Sequence, residues 1–168
     1  QELGTSKDRQ ALDRLELEKE NLFSVQDWAE THDRCDVAAR AVLALVETLL
    51  ARGPKEEIHP RLERSLAVGA HLEPRLKSQL TVYLARCLVW IGQVERGRTL
   101  IALAAEDAQR HGLRREKAHA LIFRAFIGWL AWDDDRVIFD SLLEGERICR
   151  EDQDQEGLFL ATLARGRI

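Results

Sequence analysis

The sequence predicts an all-α protein in which antiparallel helical hairpins stack as an α-α superhelix. Only three prolines occur among the 168 residues, and no stretch sustains the two-residue alternation that marks a strand. Apolar residues instead recur at helical spacings of three and four. Turn residues also recur, 39 and 41 residues apart, at Gly53, Gly92 and Asp133. Such a period is typical of stacked helical repeats.

The first two helices are predicted at about residues 8–31 and 35–52. Gly53 is expected to end the second helix in the left-handed conformation, and Pro54 can open the third from its first turn. Pro60 would remove a hydrogen bond inside that third helix. The third helix is therefore expected either to begin near Ile58 or to bend.

Later helices repeat this pattern and are predicted at about residues 74–91, 94–110, 115–132, 135–150 and 156–167. The whole chain, residues 1–168, is interpreted as one repeat domain with a flexible tail at residues 1–7. The missing initiator methionine and an end in apparent mid-helix suggest a fragment of a longer polypeptide.

Composition narrows the functional classes. The chain has 25 Lys and Arg against 29 Asp and Glu, a net charge of −4, so direct nucleic-acid binding is not expected. No segment is long and apolar enough for a membrane span. Cys35, Cys87 and Cys149 are far apart and lie in helical patterns, which is typical of reduced thiols in a cytoplasmic protein.

No catalytic residue, cofactor site or metal site is predicted. Residues 32–36 could ligate a metal but are better explained as a turn and helix N-cap, and residues 133–135 as caps rather than a cation site. The basic segment 109–119 could contact phosphate, although a solvated turn is the simpler interpretation. His119 is interpreted as a packing residue rather than a general base. The aromatic residues of its helix are interpreted as core rather than a ligand site.

The middle hairpin resembles the tetratricopeptide pattern through Leu84, Ala85, Leu88, Gly92, Gly97, Ile101 and Ala104. The first hairpin matches more loosely, with Leu45, Leu49, Gly53, Ile58, Leu62 and Ser65. In the third, Asp133 replaces the turn glycine and Ile138 the small residue, although Leu142 and Gly145 fit. The period also exceeds the usual repeat of about 34 residues.

A second resemblance covers about residues 12–68. This segment is similar to the region after the winged helix in large bacterial signal-transduction ATPases and transcription regulators. The matching residues are Leu17, Glu20, Asn21, Leu22, Trp28, Ala29, Arg52, Gly53, Leu62, Glu63, Arg64, Ser65 and Leu66. The resemblance implies a non-catalytic sensor and interaction region.

Two functions are therefore considered. The first is a protein-interaction or sensor module of a bacterial regulator, whose partner is a protein, a peptide, an effector or another domain of the same polypeptide. The alternative is a self-contained adaptor or oligomerisation protein, for instance a homodimer. The last helix favours the first function, because its apolar residues Leu158, Leu160 and Leu163 require a following helix.

The binding surface is predicted on the first helix of each hairpin, which lines the concave face of tetratricopeptide-like arrays. The turn residues give three equivalent sets, namely Arg40, Gln79 and Ala120; Leu43, Val82 and Phe123; and Glu47, Arg86 and Ile127. This groove has an apolar floor and one main cation, Arg86. It is suited to a partner with an acidic group near apolar anchors. Alternatively, Val82 and Phe123 are core and Arg86 pairs with Glu47.

Overall fold

The computed structural model describes residues 13–14, 17–53, 55–69 and 71–167. Within these ranges the chain forms eight α-helices and no strand, so the predicted all-α class is confirmed. The helices are α1 (Lys19–Thr31), α2 (Cys35–Arg52), α3 (Lys55–Val68), α4 (Pro74–Trp90), α5 (Val94–Arg110), α6 (Arg114–Leu130), α7 (Asp135–Glu151) and α8 (Gln155–Arg165). The tail predicted at residues 1–7 lies outside the described residues.

The sequence analysis treats the chain as one domain, whereas the helices divide into two compact units, residues 1–72 and 73–168. In the first unit, α2 packs against both α1 and α3. The buried Gln26 side chain also joins α1 to α3. It donates to the Arg61 carbonyl and the Ser65 hydroxyl, both at 3.0 Å, and accepts from the Arg61 guanidinium.

In the second unit each helix packs against the next, and α6 also contacts α4 and α8. Small and branched apolar side chains fill one continuous core between these helices. Its fully enclosed members include Ala85, Ile101, Ala104, Ala118, Ile122, Ala125, Ile127 and Leu142. The alanines let neighbouring helices approach closely, because their side chains occupy little space between the axes.

The four turns of the second unit share one geometry. A residue in the left-handed conformation occupies positions 92, 112, 132 and 153, and the next amide hydrogen-bonds to the carbonyl five residues earlier. Gly92 and Gly112 adopt this conformation without steric cost. The left-handed residue of the third turn is Trp132, at φ 57°, and not Asp133 as the sequence analysis placed it.

The prediction that Gly53 ends the second helix in the left-handed conformation is wrong, and of the two alternatives for the third helix the start near Ile58 is wrong. Gly53 is extended, at φ −100° and ψ 176°, and not left-handed, because its amide still completes the helical bond to Leu49 and the chain then leaves the helix directly. Helix α3 begins at Lys55 rather than near Ile58, and Pro60 lies inside it. Pro54 lies outside the described residues.

Candidate functional site

A pocket of about 140 Å³ lies where α6 meets α4 and α8. All three helices contribute side chains to its wall. The lining residues are Arg86 and Trp90 from α4, Ile122, Phe123 and Phe126 from α6, Leu160, Leu163 and Ala164 from α8, and Arg167 just beyond α8. We refer to this cavity below as the α4–α6–α8 pocket.

Helical periodicity places these side chains together. Arg86 and Trp90 are four residues apart on α4, and Phe123 and Phe126 are three apart on α6. Such spacings put side chains on one face of a helix. Helix α6 contacts both α4, two helices earlier in the chain, and α8, two helices later. The faces of these three helices therefore converge on one cavity.

Both charged residues that line the pocket are arginines. The Arg86 guanidinium lies 4.3 Å from the ring centroid of Phe123 and 5.0 Å from that of Tyr83. The Arg167 guanidinium lies 5.9 Å from the ring centroid of Phe126. Contacts of this kind contribute about 0.5–1 kcal/mol each at exposed sites. The pocket thus combines an apolar wall with two positive charges held against aromatic rings.

The predicted groove residues of the second unit lie in three different environments. Arg86 and Phe123 both line the pocket and contact each other. Val82 and Ile127 are buried in the core of the second unit. Gln79 instead donates to the buried Glu116 carboxylate, at 3.2 Å.

The remaining predicted positions do not line the pocket. Ala120 is buried in the same core as Val82. Arg40, Leu43 and Glu47 belong to α2 in the first unit, where Arg40 and Glu47 are exposed and Leu43 is half-buried.

The sequence analysis missed the contribution of α8 to this site. A signal for it was present, because extending the spacing of 41 residues from Val82 and Phe123 gives position 164. Ala164 does line the pocket. Trp90 and Arg167 were also missed, and no motif distinguishes them from other exposed side chains.

A polar cluster centred on Asp154 fastens the start of α8 to α6. The Asp154 carboxylate accepts hydrogen bonds from His119 Nε2 at 2.7 Å and Arg115 Nε at 3.2 Å. Burial raises the pKa of Asp154, but the hydrogen bonds from His119 and the Gly157 amide, with the nearby positive charges, lower it below its usual value. His119 is thus held by a carboxylate partner inside the structure.

The basic segment 109–119 is largely neutralised by carboxylates. Arg114 pairs with Glu151 and Asp152, and Lys117 pairs with Glu144. These pairs link α6 to α7 and to the turn after it. The segment therefore does not present a continuous positive surface for phosphate.

The aspartates at 133–135 also have structural roles. Asp134 caps α7 by accepting from the Arg136 amide at 2.8 Å, as predicted, and Asp133 pairs with Arg98 at 2.6 Å. Residues 32–34 form a turn with Asp33 left-handed, but the predicted N-cap is wrong in detail, because no side chain caps α2. The ranges described contain no group of three or more His, Cys, Asp or Glu residues arranged for a metal ion.

Cys149 is a buried thiol, and burial raises its pKa to about 11. All three cysteines are unbridged. A thiol with so high a pKa is protonated near neutral pH and is a poor nucleophile.

None of the helices in the described part of the chain is long and apolar enough to cross a membrane.

Comparison with models of protein families and with curated proteins gives no match to this chain.

Proposed function

We propose that this chain is a non-catalytic interaction or sensor module built from tetratricopeptide-like hairpins. Its partner binds on the face of the first helices α4, α6 and α8. The helix contacts support this arrangement, because α6 packs against α4 and α8, the first helices of the adjacent hairpins, as well as against α5 and α7. Stacked hairpins bury their faces in this way.

The regular turns give a second support. The left-handed residues at 92, 112, 132 and 153 are 20, 20 and 21 residues apart, so one hairpin occupies about twice that length. Side chains at equivalent positions then form ladders along the array. A superhelix of this kind, within a cytoplasmic bacterial signalling or transcription regulator, is the architecture we propose. The unbridged cysteines are in keeping with a reducing compartment.

The single observation behind the binding proposal is the contact of Arg86 with Phe123 at the α4–α6–α8 pocket. A half-buried arginine on an aromatic ring, next to an apolar cavity, is a typical anchor for a partner. The exposed Trp90 indole, 52% accessible, extends the same apolar surface.

The test separates binding from folding. We expect Arg86→Ala and Phe123→Ala each to weaken binding of a captured partner while the helical content is retained. Arg124→Ala, which removes an exposed arginine of α6 outside the pocket, is the matched control. If both pocket variants unfold the chain and binding per folded molecule is unchanged, the residues serve packing alone.

A self-associating adaptor is the second candidate, because α7 and α8 expose large apolar side chains. Phe139, Leu143 and Phe159 are 47%, 55% and 51% accessible. Buried between two copies, such side chains would drive dimerisation. Sedimentation of the chain and of Phe159→Glu tests this candidate, which requires a dimer that the substitution dissociates.

A further inference from the structure

We infer that the exposed face of α7 pairs with the same face of a second copy of this chain, antiparallel and about a two-fold axis beside Leu143. This pairing rests on the self-associating candidate above and adds the surface through which the two copies meet. It uses a different face of the second unit from the α4–α6–α8 pocket, because none of the residues that line that pocket belongs to α7.

The large apolar residues on the exposed face of α7 are not required by the repeat. Helices α5 and α7 are both 17 residues long, and an offset of 41 residues places four of the five buried positions of α5 on buried positions of α7. On α7, Phe139 and Leu143 are four residues apart and 47% and 55% accessible. The equivalent positions of α5 hold Arg98 and Ala102. A charged or a small residue therefore satisfies the repeat at these positions, and the apolar pair of α7 indicates an interaction of its own.

Four charged residues flank Leu143 in an order that complements itself when the helix is reversed. Spacings of three and four residues place all of them on one side of the helix. The first charge pairs with the second along the helix, and the third with the fourth, which confirms this placement. Each of these side chains is exposed, and their order along α7 is Arg136, Asp140, Leu143, Arg147 and Glu151.

An antiparallel pair centred between positions 143 and 144 brings opposite charges together. At 1.5 Å per residue, the inner charges lie about 5 Å and the outer charges about 11 Å on either side of that centre. Arg136 of each copy thus faces Glu151 of the other. Likewise, Asp140 of each copy faces Arg147 of the other. A two-fold interface requires such self-complementarity, whereas a parallel pair would set identical charges side by side. The charge pattern therefore identifies a second, antiparallel copy as the partner of this face.

The charges set the orientation of the pair, and the apolar residues supply its attraction. Each of the four charges already has a partner on α7, and Glu151 also pairs with Arg114. Exposed ion pairs contribute little to stability, so sharing a partner across the interface excludes wrong orientations more than it adds affinity. Phe139 and Leu143 lose their exposed apolar surface on pairing. One helix face per copy gives an interface at or below the low end of the usual range of about 1,200–2,000 Å², so we expect a weak dimer.

Sedimentation velocity of the full chain tests for this dimer. Concentrations from about 1 μM to about 300 μM span the affinities expected of a weak interface. Leu143→Glu places two carboxylates beside the two-fold axis and should keep the chain monomeric over this range. Leu103→Glu is the matched control, because Leu103 is a comparably exposed leucine of α5, 46% accessible, and its variant should dimerise as the unchanged chain does. Circular dichroism checks the fold of each variant.

Two charge reversals test the antiparallel register. Asp140→Arg and Arg147→Asp each place like charges at both inner contacts, so each variant alone should dimerise at least about tenfold more weakly than the unchanged chain. Mixed in equal amounts, the two variants should form a heterodimer, because position 140 of each then faces an opposite charge at position 147 of the other. A fluorescent label on one variant detects the heterodimer in the same sedimentation experiment.

The contrary results separate the α7 interface from self-association itself. A dimer that Phe159→Glu dissociates and Leu143→Glu leaves intact overturns the α7 interface and keeps the self-associating candidate. Equal weakening by Leu143→Glu and Leu103→Glu also overturns that interface. If the two charge-reversed variants fail to pair when mixed, the antiparallel register is wrong. A chain that stays monomeric at every concentration contradicts both the interface and the self-associating candidate.

Discussion

Asp154→Asn should destabilise the second unit, because Asp154 links the turn before α8 to α6. Its side chain is only 9% accessible and accepts charge-assisted hydrogen bonds from His119 and Arg115. Hydrogen bonds to charged groups contribute about 1.5–3 kcal/mol each. Arg115 is 41% accessible and keeps Glu156 as a partner, and asparagine still accepts one bond. We therefore expect a loss of about 2 kcal/mol at neutral pH.

The loss of unfolding free energy in Asp154→Asn should depend on pH in a defined direction. The pKa of Asp154 is lowered in the folded protein, so the carboxylate stabilises the fold above its unfolded pKa of about 3.9. That contribution disappears as the pH falls through the folded pKa. The difference in unfolding free energy between the protein and Asp154→Asn should narrow progressively below about pH 4.

Urea unfolding followed by tryptophan fluorescence measures this difference. A Trp28→Phe background leaves Trp90, Trp129 and Trp132, so the signal reports only on the second unit. Asp152→Asn is the control, because its exposed pair with Arg114 should contribute less than about 1 kcal/mol. Equal destabilisation by both variants, or a difference that persists in acid, would refute the reasoning.

Three further substitutions test packing and strain, each by the midpoint of urea unfolding. Ala104→Leu should cost about 1–3 kcal/mol, because Ala104 is 1% accessible and a larger side chain overpacks the core; an unchanged midpoint would mean that the repeat register is wrong. Gln26→Leu should lower the free energy of unfolding by about 1–3 kcal/mol, because it leaves buried hydrogen-bond partners on α3 unsatisfied. An unchanged free energy would mean that this link between α1 and α3 is dispensable. Trp132→Gly should stabilise by up to about 1 kcal/mol, since Trp132 is left-handed and 94% accessible; a lower midpoint would mean that the indole makes contacts that outweigh the strain.

Much of the fold could be predicted from the sequence because helical periodicity and glycine turns are local signals. Gly92 and Gly112 are left-handed turn residues because no side chain opposes that conformation. Trp132 and Gln153 also adopt the left-handed conformation, but neither residue type favours it, so the sequence gives no signal for them. The turn residue was therefore placed at Asp133, one position too late. Gly53 shows the converse, since a glycine permits the left-handed conformation without requiring it.

The site was harder to predict, since it depends on contacts between helices distant in sequence. The repeat register put Arg86 and Phe123 in the same predicted groove but in different sets, so their contact was not itself predicted. It could not separate Phe123, which lines a pocket, from Ile127, which packing encloses. That difference arises from which neighbours α6 meets on each side. Likewise, the ion pairs of Arg114 and Lys117 depend on α7 and could not be predicted from the basic segment alone.

Methyl NMR during titration with a captured partner tests the central claim most directly, because it maps the bound surface residue by residue. If the face of α4, α6 and α8 binds the partner, the methyl signals of Ile122, Leu160 and Leu163 should shift, since these side chains line the pocket. Exposed leucines of the second helices, Leu103 and Leu143, serve as internal controls. Shifts confined to Leu103 and Leu143, with the pocket signals unchanged, would contradict the account.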